Sequence, residues 1–206
     1  KREDYFIVDK LPLFNGLYTD TYHKSLYLMS DADLEECIKD ADLIICGVSS
    51  FGMDWFCDNV IPKLPEEIPL LSISKGMIDD GENKGRLISY PEHMLKFTDK
   101  DLKIYAVGGP CTSYELVDKD PTEVAFCGPD MKTLRWLREL FETDYYHISL
   151  STEVRGVECS VALKNAYALG VALAVGMSYK REGREFEHYN SQAGLFTQAT
   201  KEMYLL

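Results

Sequence analysis

The stretch Asp42-Leu43-Ile44-Ile45-Cys46-Gly47-Val48 decides the fold. It is a short, nearly uncharged apolar run closed by Ser49 and Ser50, the pattern of a buried strand. A helix from about Asp31 to Lys39 is expected before it, and a second helix around Met53 to Leu64 after it. Further strands are expected at Pro69–Ser74, Lys103–Val107, Glu123–Cys127 and Tyr145–Leu150, with a helix at Asp130–Glu142 before the last of them. Strands that alternate with helical crossovers imply an α/β fold with a mostly parallel sheet.

After Ser151 the pattern changes. Glu153 to Met177 places Ala, Val, Leu and Gly in helical order with few charges, which reads as a long, nearly fully buried helix. Ser178–Asn190 is polar and punctuated by glycine, so an exposed loop is expected there, with another helix from near Ser191. Two regions follow, 1–150 built around the sheet and 151–206 as the start of an all-helical domain.

With 206 residues and 46% hydrophobic content, the chain can bury a proper core. Its net charge of -12 is spread without a basic stripe, which argues against nucleic-acid binding. The six cysteines, at 37, 46, 57, 111, 127 and 159, show no metal spacing, and the four histidines read as structural or surface residues. No metal site is expected. Leu163–Met177 comes nearest to a membrane span but starts beside a lysine and is too short, so no span is expected. With no secretory h-region at the start, a reducing, cytoplasmic setting is expected. The chain starts at Lys1 without a methionine and ends inside an amphipathic helical pattern, so a fragment is expected.

Lys164, in Ala162-Leu163-Lys164-Asn165, is the only cation between Arg155 and Lys180. Burying an ammonium costs several kcal/mol unless it is paired, and burial lowers its pKa towards neutrality. A lysine so placed can exchange a proton with an alcohol, while Asn165 can orient a polar substrate. Spacing alone leaves open a lysine that merely snorkels to the helix surface. Lys75 follows Leu70-Leu71-Ser72-Ile73-Ser74, at the carboxyl end of a strand, where α/β sheets bind ligands. Ser49-Ser50-Phe51-Gly52 and Gly108-Gly109-Pro110-Cys111-Thr112-Ser113 are small-residue turns at two other strand ends. Gly47 to Gly52 has the glycines of a P-loop without the following Lys-Ser/Thr, and no Gly-x-Gly-x-x-Gly occurs in the 206 residues.

Taken in order, these segments resemble the NAD(P)-dependent sn-glycerol-3-phosphate dehydrogenase family. The strand Ala41–Val48 is similar to the family's strand that enters the cofactor crevice, with Ser49 where a proline is common. Ile73-Ser74-Lys75-Gly76 resembles its lysine-glycine motif, and Gly109-Pro110-Cys111 its glycine-proline-serine turn with the serine replaced. Gly156-Val157-Glu158 followed by Ala162-Leu163-Lys164-Asn165 is the most specific match, and Asn190 with Glu202-Met203 resembles the next helix.

The resemblance implies a Rossmann-like dinucleotide-binding domain over 1–150 and the beginning of a helical substrate domain over 151–206. It implies interconversion of glycerol 3-phosphate, a small three-carbon phosphate, and dihydroxyacetone phosphate with NAD or NADP. Lys164 would accept the proton with Asn165 beside it, and Lys75, Gly109 and Cys111 would meet the substrate. Ser49, Phe51, Lys75 and Ser113 would lie along the cofactor. The family's glycine-rich loop is absent or unrecognisable in Lys1–Ser30, and its substrate-phosphate residues come from a later part of the helical domain. The 206 residues alone are therefore expected to be inactive.

Two other readings stand beside this one. A β-hydroxyacid or 6-phosphogluconate-type dehydrogenase also carries a helical lysine, but with an asparagine four residues beyond it, where this chain has Ala168. A non-catalytic nucleotide-binding or assembly module would keep the scaffold alone. In either case so apolar a helix needs a partner surface, and a homodimer is expected.

Overall fold

The computed structural model of the protein describes residues 5–9, 17–21, 34–83, 85–182 and 189–205. The chain divides into two compact units, Lys1–Ala41 and Asp42–Leu206. In the first, strands β1 (Tyr5–Asp9) and β2 (Leu17–Thr21) pair antiparallel, with Tyr5 opposite Thr21, and a short helix α1 covers Leu34–Ile38.

In the second unit, β3 (Ile44–Cys46), β4 (Leu70–Ser72), β7 (Ile104–Gly108), β8 (Thr122–Cys127) and β9 (Tyr146–Ser151) form one sheet in that spatial order. The pairs β3–β4, β4–β7 and β8–β9 are parallel, and only β7–β8 is antiparallel. The expected α/β class with a mostly parallel sheet is therefore present. The strands are shorter than the apolar runs, because pairing stops where partners end: Ile44 N donates to Pro69 O at 3.0 Å and Leu70 N to Lys103 O at 3.0 Å.

Helix α2 (Met53–Asn59) buries Met53, Phe56 and Cys57 and then tightens into a 3-10 turn at Ile61–Lys63, where Pro62 cannot donate to a helical ladder. A feature not read from the sequence follows β4: an antiparallel hairpin of β5 (Met77–Asp79) and β6 (Leu87–Ser89), then α3 (Tyr90–Met94). Gly81 and Gly85 take positive φ in its turn. Ser89 and Glu92 form a reciprocal capping box that starts α3.

Between β7 and β8 lies the five-residue helix α4 (Ser113–Val117). Helix α5 (Met131–Phe141) packs Leu134 and Leu137 against Leu71, Tyr105, Val107, Val124, Phe126 and Ile148. Asp130 caps it by accepting from Thr133 N at 2.8 Å, and also accepts from the Tyr105 hydroxyl at 2.5 Å. Gly128 is required here, because a Cβ on it would lie 2.0 Å from the Tyr105 ring.

Helix α6 (Val154–Glu182) and helix α7 (Tyr189–Tyr204) end the chain and pack on each other. Two expectations change. The polar stretch from Ser178 is not all loop: α6 continues through Glu182 and α7 begins at Tyr189. Lys180, Arg181 and Glu182 are good helix formers, and the stretch 183–188 lies outside the described residues. Nor is α6 nearly fully buried, since Leu169, Leu173 and Met177 are exposed. Only its first turns lie on the sheet. By length and composition alone Val154–Met177 is long and apolar enough to cross a membrane. Its start, however, is clasped to β7 through Val157 and Val161, and its Glu158 is buried against the same unit.

Candidate active site

Helix α6 reaches the carboxyl end of β7 because Gly108 has no side chain. A Cβ there would lie 2.6 Å from Val161 Cγ2 and 2.9 Å from Val157 Cγ1. The helical repeat then carries Ala162–Asn165 to the strand end. The next residue, Gly109, has φ +123°, and a Cβ on it would sit 3.2 Å from Glu123 O, so the turn needs glycine twice over.

Lys75 comes to the same place from β4. Ser74 donates to Val48 O, which ties the ends of β3 and β4 together. Gly76 has φ +145° and lies against the Tyr90 ring. The Lys75 ammonium donates to Gly109 O at 2.8 Å. One hydrogen bond thus joins the loop after β4 to the turn after β7.

Lys75, Gly109, Cys111, Lys164 and Asn165 line one cavity of about 870 Å³, together with Met77, Leu87, Glu115 and Cys159. Lys75 and Cys111 also border an apolar cavity of about 440 Å³ lined by Ile45, Ile73, Phe126 and Tyr146. A third, of about 840 Å³, lies across Gly108 and Gly109 and is lined by Glu123, Ser149, Arg155 and Ser160. The 870 Å³ and 440 Å³ hollows therefore meet at Lys75 and Cys111. Burial pushes the Tyr146 hydroxyl beside them up to about 12, with the nearby Cys111 adding to the shift.

Five of the eight residues singled out from the sequence are thus brought together. Ser49, Phe51 and Ser113 are not among the residues that line the 870 Å³ cavity. All three are exposed, Phe51 at 99%. The reason for choosing Lys164 also changes. Lys164 and Asn165 are exposed at the cavity rim, so the burial argued from the apolar sequence around Lys164 is absent. The apolar neighbours lie on a helix with few partners, and what places Lys164 is the seat of Val157 and Val161 on Gly108.

Two contributors were missed. Arg155 Nε donates to Glu92 Oε1 at 3.0 Å, while the other Glu92 oxygen accepts from Ser89 N at 2.9 Å, so the capping box of α3 also anchors the start of α6. Partial burial would raise the Glu92 carboxyl, but the Arg155 and Ser89 hydrogen bonds outweigh it and the net shift is downward. The Ser-x-x-Glu spacing was legible; the partner 63 residues away was not. The second is Glu158, 1% exposed, with neither carboxyl oxygen hydrogen-bonded among the described residues. Burial raises it to about 7 against a smaller lowering by the Lys75 charge. Among the described residues no group of three or more His, Cys, Asp or Glu is arranged to hold a metal ion.

Comparison with known proteins bears on the family and the fold. Over 171 residues the chain is 29% identical to the NADP(+)-dependent glycerol-3-phosphate dehydrogenase of Archaeoglobus fulgidus, a match that covers 82% of this chain and 49% of that one. Among solved structures, glycerol-3-phosphate dehydrogenase from Plasmodium falciparum superposes with a TM-score of 0.68 at 22% identity, over 84% of this chain and 45% of that one. The Saccharomyces cerevisiae enzyme superposes with a TM-score of 0.67 at 19% identity, over 83% of this chain and 47% of that one. These two show a shared fold. The chain spans about half the length of the curated relatives it matches. The family model described as NAD-dependent glycerol-3-phosphate dehydrogenase N-terminus matches residues 15–134, more than half of the chain, and the chain belongs to that family.

Proposed function

We propose that this chain carries the proton-transfer half of a site that interconverts sn-glycerol 3-phosphate and dihydroxyacetone phosphate with NAD or NADP. The observation that carries the reading is the convergence of Lys75, Gly109, Cys111, Lys164 and Asn165 on one cavity at the carboxyl ends of β4 and β7. Those residues are the ones that the resemblance in the sequence singled out, and ligands of open α/β sheets bind at that edge.

The described residues fit the nicotinamide end of a dinucleotide. The apolar hollow beside Lys75, lined by Ile45, Ile73 and Tyr146, has room for a flat ring. The pyrophosphate-binding Gly-x-Gly-x-x-Gly is not in these 206 residues. The nicotinamide, when bound, supplies the hydride acceptor or donor. Lys164 is the group placed to exchange a proton with the substrate hydroxyl, taking it in the oxidation of glycerol 3-phosphate and returning it in the reverse direction. Asn165 orients the substrate oxygen at the rim. Lys75, held by the Gly109 carbonyl, presents positive charge to the oxygen that gains electron density during reduction. Gly109 and Cys111 shape the wall between the two hollows.

Residues 1–150 serve the cofactor and 151–206 the substrate in this reading, with Ser49, Phe51 and Ser113 along the cofactor's length. The exposed Leu169, Leu173, Met177 and Phe196 support a homodimer, and the free thiols of Cys46, Cys57, Cys111, Cys127 and Cys159 support a reducing, cytoplasmic setting.

The test is a reductase assay of the complete gene product with dihydroxyacetone phosphate and each reduced nicotinamide, repeated with Lys164→Ala. Loss of turnover with circular dichroism unchanged is expected. Undiminished turnover in the variant would overturn the assignment.

A further inference from the structure

Glu158 is the one fully buried carboxylate of α6 that no contact among the described residues explains. It is 1% exposed, and among the described residues both oxygens lack a hydrogen-bond partner. Burying an unpaired carboxylate is costly, so such a group is ordinarily replaced unless its charge state is used. Its place is restricted, because Val157 and Val161 on either side of it in the helix are wedged against Gly108. Lys75, the positive group that acts on it, is bonded to the very next residue, Gly109.

We propose that Glu158 is a buried counter-charge to Lys75 that takes up a proton when an anion binds at Lys75, and so sets how much positive charge the site presents. The inference rests on the reading of Lys75 as a ligand-facing cation, and it adds a positioning residue to that site. With Glu158 ionised, part of the Lys75 field is spent on it. An anion at Lys75 competes for that field, and the carboxylate, with no other partner, accepts a proton from solvent. Lys75 then faces the ligand uncompensated.

The ionisable groups on the elements packed against α6 are accounted for by burial or by other partners. On β8, burial holds the Cys127 thiol up to about 12, with the Glu158 charge adding to it. On α6 itself, Cys159 is raised by burial, and Arg155 is engaged with Glu92. On β7 the Tyr105 hydroxyl is given to Asp130, on β8 Glu123 accepts from Ser149, and on β5 Asp79 accepts from Gly81 N. On α7 Glu202 accepts from Tyr167 and Gln198. Burial raises Glu158 to about 7, so the exchange falls in the neutral range.

The experiment is a carbon-13 NMR titration of the Glu158 carboxyl in the 206-residue chain, in Lys75→Gln, and in both with sulfate, an anion that does not itself titrate near neutrality. The signal is assigned by its loss in Glu158→Gln or, should that variant not fold, by through-bond correlation. Expected are a midpoint near 7, a higher midpoint in Lys75→Gln, and a rise with sulfate in the parent chain only. A midpoint in the ordinary carboxylate range, or one indifferent to Lys75→Gln or to sulfate, would overturn the proposal. No turnover is read. Sulfate-dependent titration in the 206-residue chain, together with a complete gene product that does not reduce dihydroxyacetone phosphate, would therefore sink the dehydrogenase reading and leave this one standing, and the converse would do the opposite.

Discussion

Val161 Cγ2 occupies the space where a side chain on Gly108 would begin: a Cβ on Gly108 would lie 2.6 Å from it. The contact seats α6 on β7 and sets the position of Lys164 three residues further along. Gly108→Ala is expected to cost about 1–3 kcal/mol through overpacking. Because the helix must move, it should also lower kcat in the reductase assay of the proposed function by up to about 100-fold, the size that roughly 1 Å of misplacement can reach. Urea unfolding and steady-state kinetics check the two parts separately.

Lys164 is exposed, so removing it should not damage the fold. Lys164→Ala is expected to reduce turnover by roughly 10²–10⁴-fold, the range for loss of a general base or acid, with thermal unfolding within about a degree of the parent. An equal loss of stability and activity would mean that the side chain is structural.

Glu158 makes stability depend on pH with a definite sign. Its folded pKa, about 7, is above its ordinary value of 4.5, so the native state holds the extra proton between those values. The stabilisation is fully present below about 4.5 and is lost as pH rises through about 7. Over that window the contribution is on the order of 3 kcal/mol, at 1.36 kcal/mol per unit. Glu158→Gln should flatten this part of the profile, read as urea midpoints at pH 5, 6, 7 and 8. A slope retained in the variant would assign the effect elsewhere.

Asp130 acts in the opposite sense. The Thr133 backbone N–H first, then the Tyr105 hydroxyl, hold its carboxyl below the usual range. That stabilisation is present above the ordinary aspartate value, and it is lost as pH falls through the depressed one. Asp130→Ala is expected to cost about 2 kcal/mol, from the missing N-cap and an orphaned Tyr105 hydroxyl. Tyr105→Phe in the same background should return part of it, a coupling that a double-mutant cycle measures.

Much of the sheet was legible because its strands are short apolar runs that nothing but burial explains: Ile44–Cys46, Leu70–Ser72 and Val124–Cys127 are strands wherever they end up paired. The hairpin at Met77–Ser89 escaped notice because its three-residue strands carry little alternation, and its turn glycines are separated by polar residues.

The sequence by itself determined the class of fold, the motifs around Lys75, Gly109 and Lys164, and the family to which the chain belongs. These depend on local pattern and order, which a linear chain displays. Only the tertiary structure decided which of the eight singled-out residues share a cavity, that Lys164 is exposed at its rim, and that Glu158 is buried beside the field of Lys75. Burial belongs to what packs against a helix, and the same apolar spacing serves a covered face and a bare one. Gly108 and Val161 stand 53 positions apart, and their contact exists only once the strand and the helix have met.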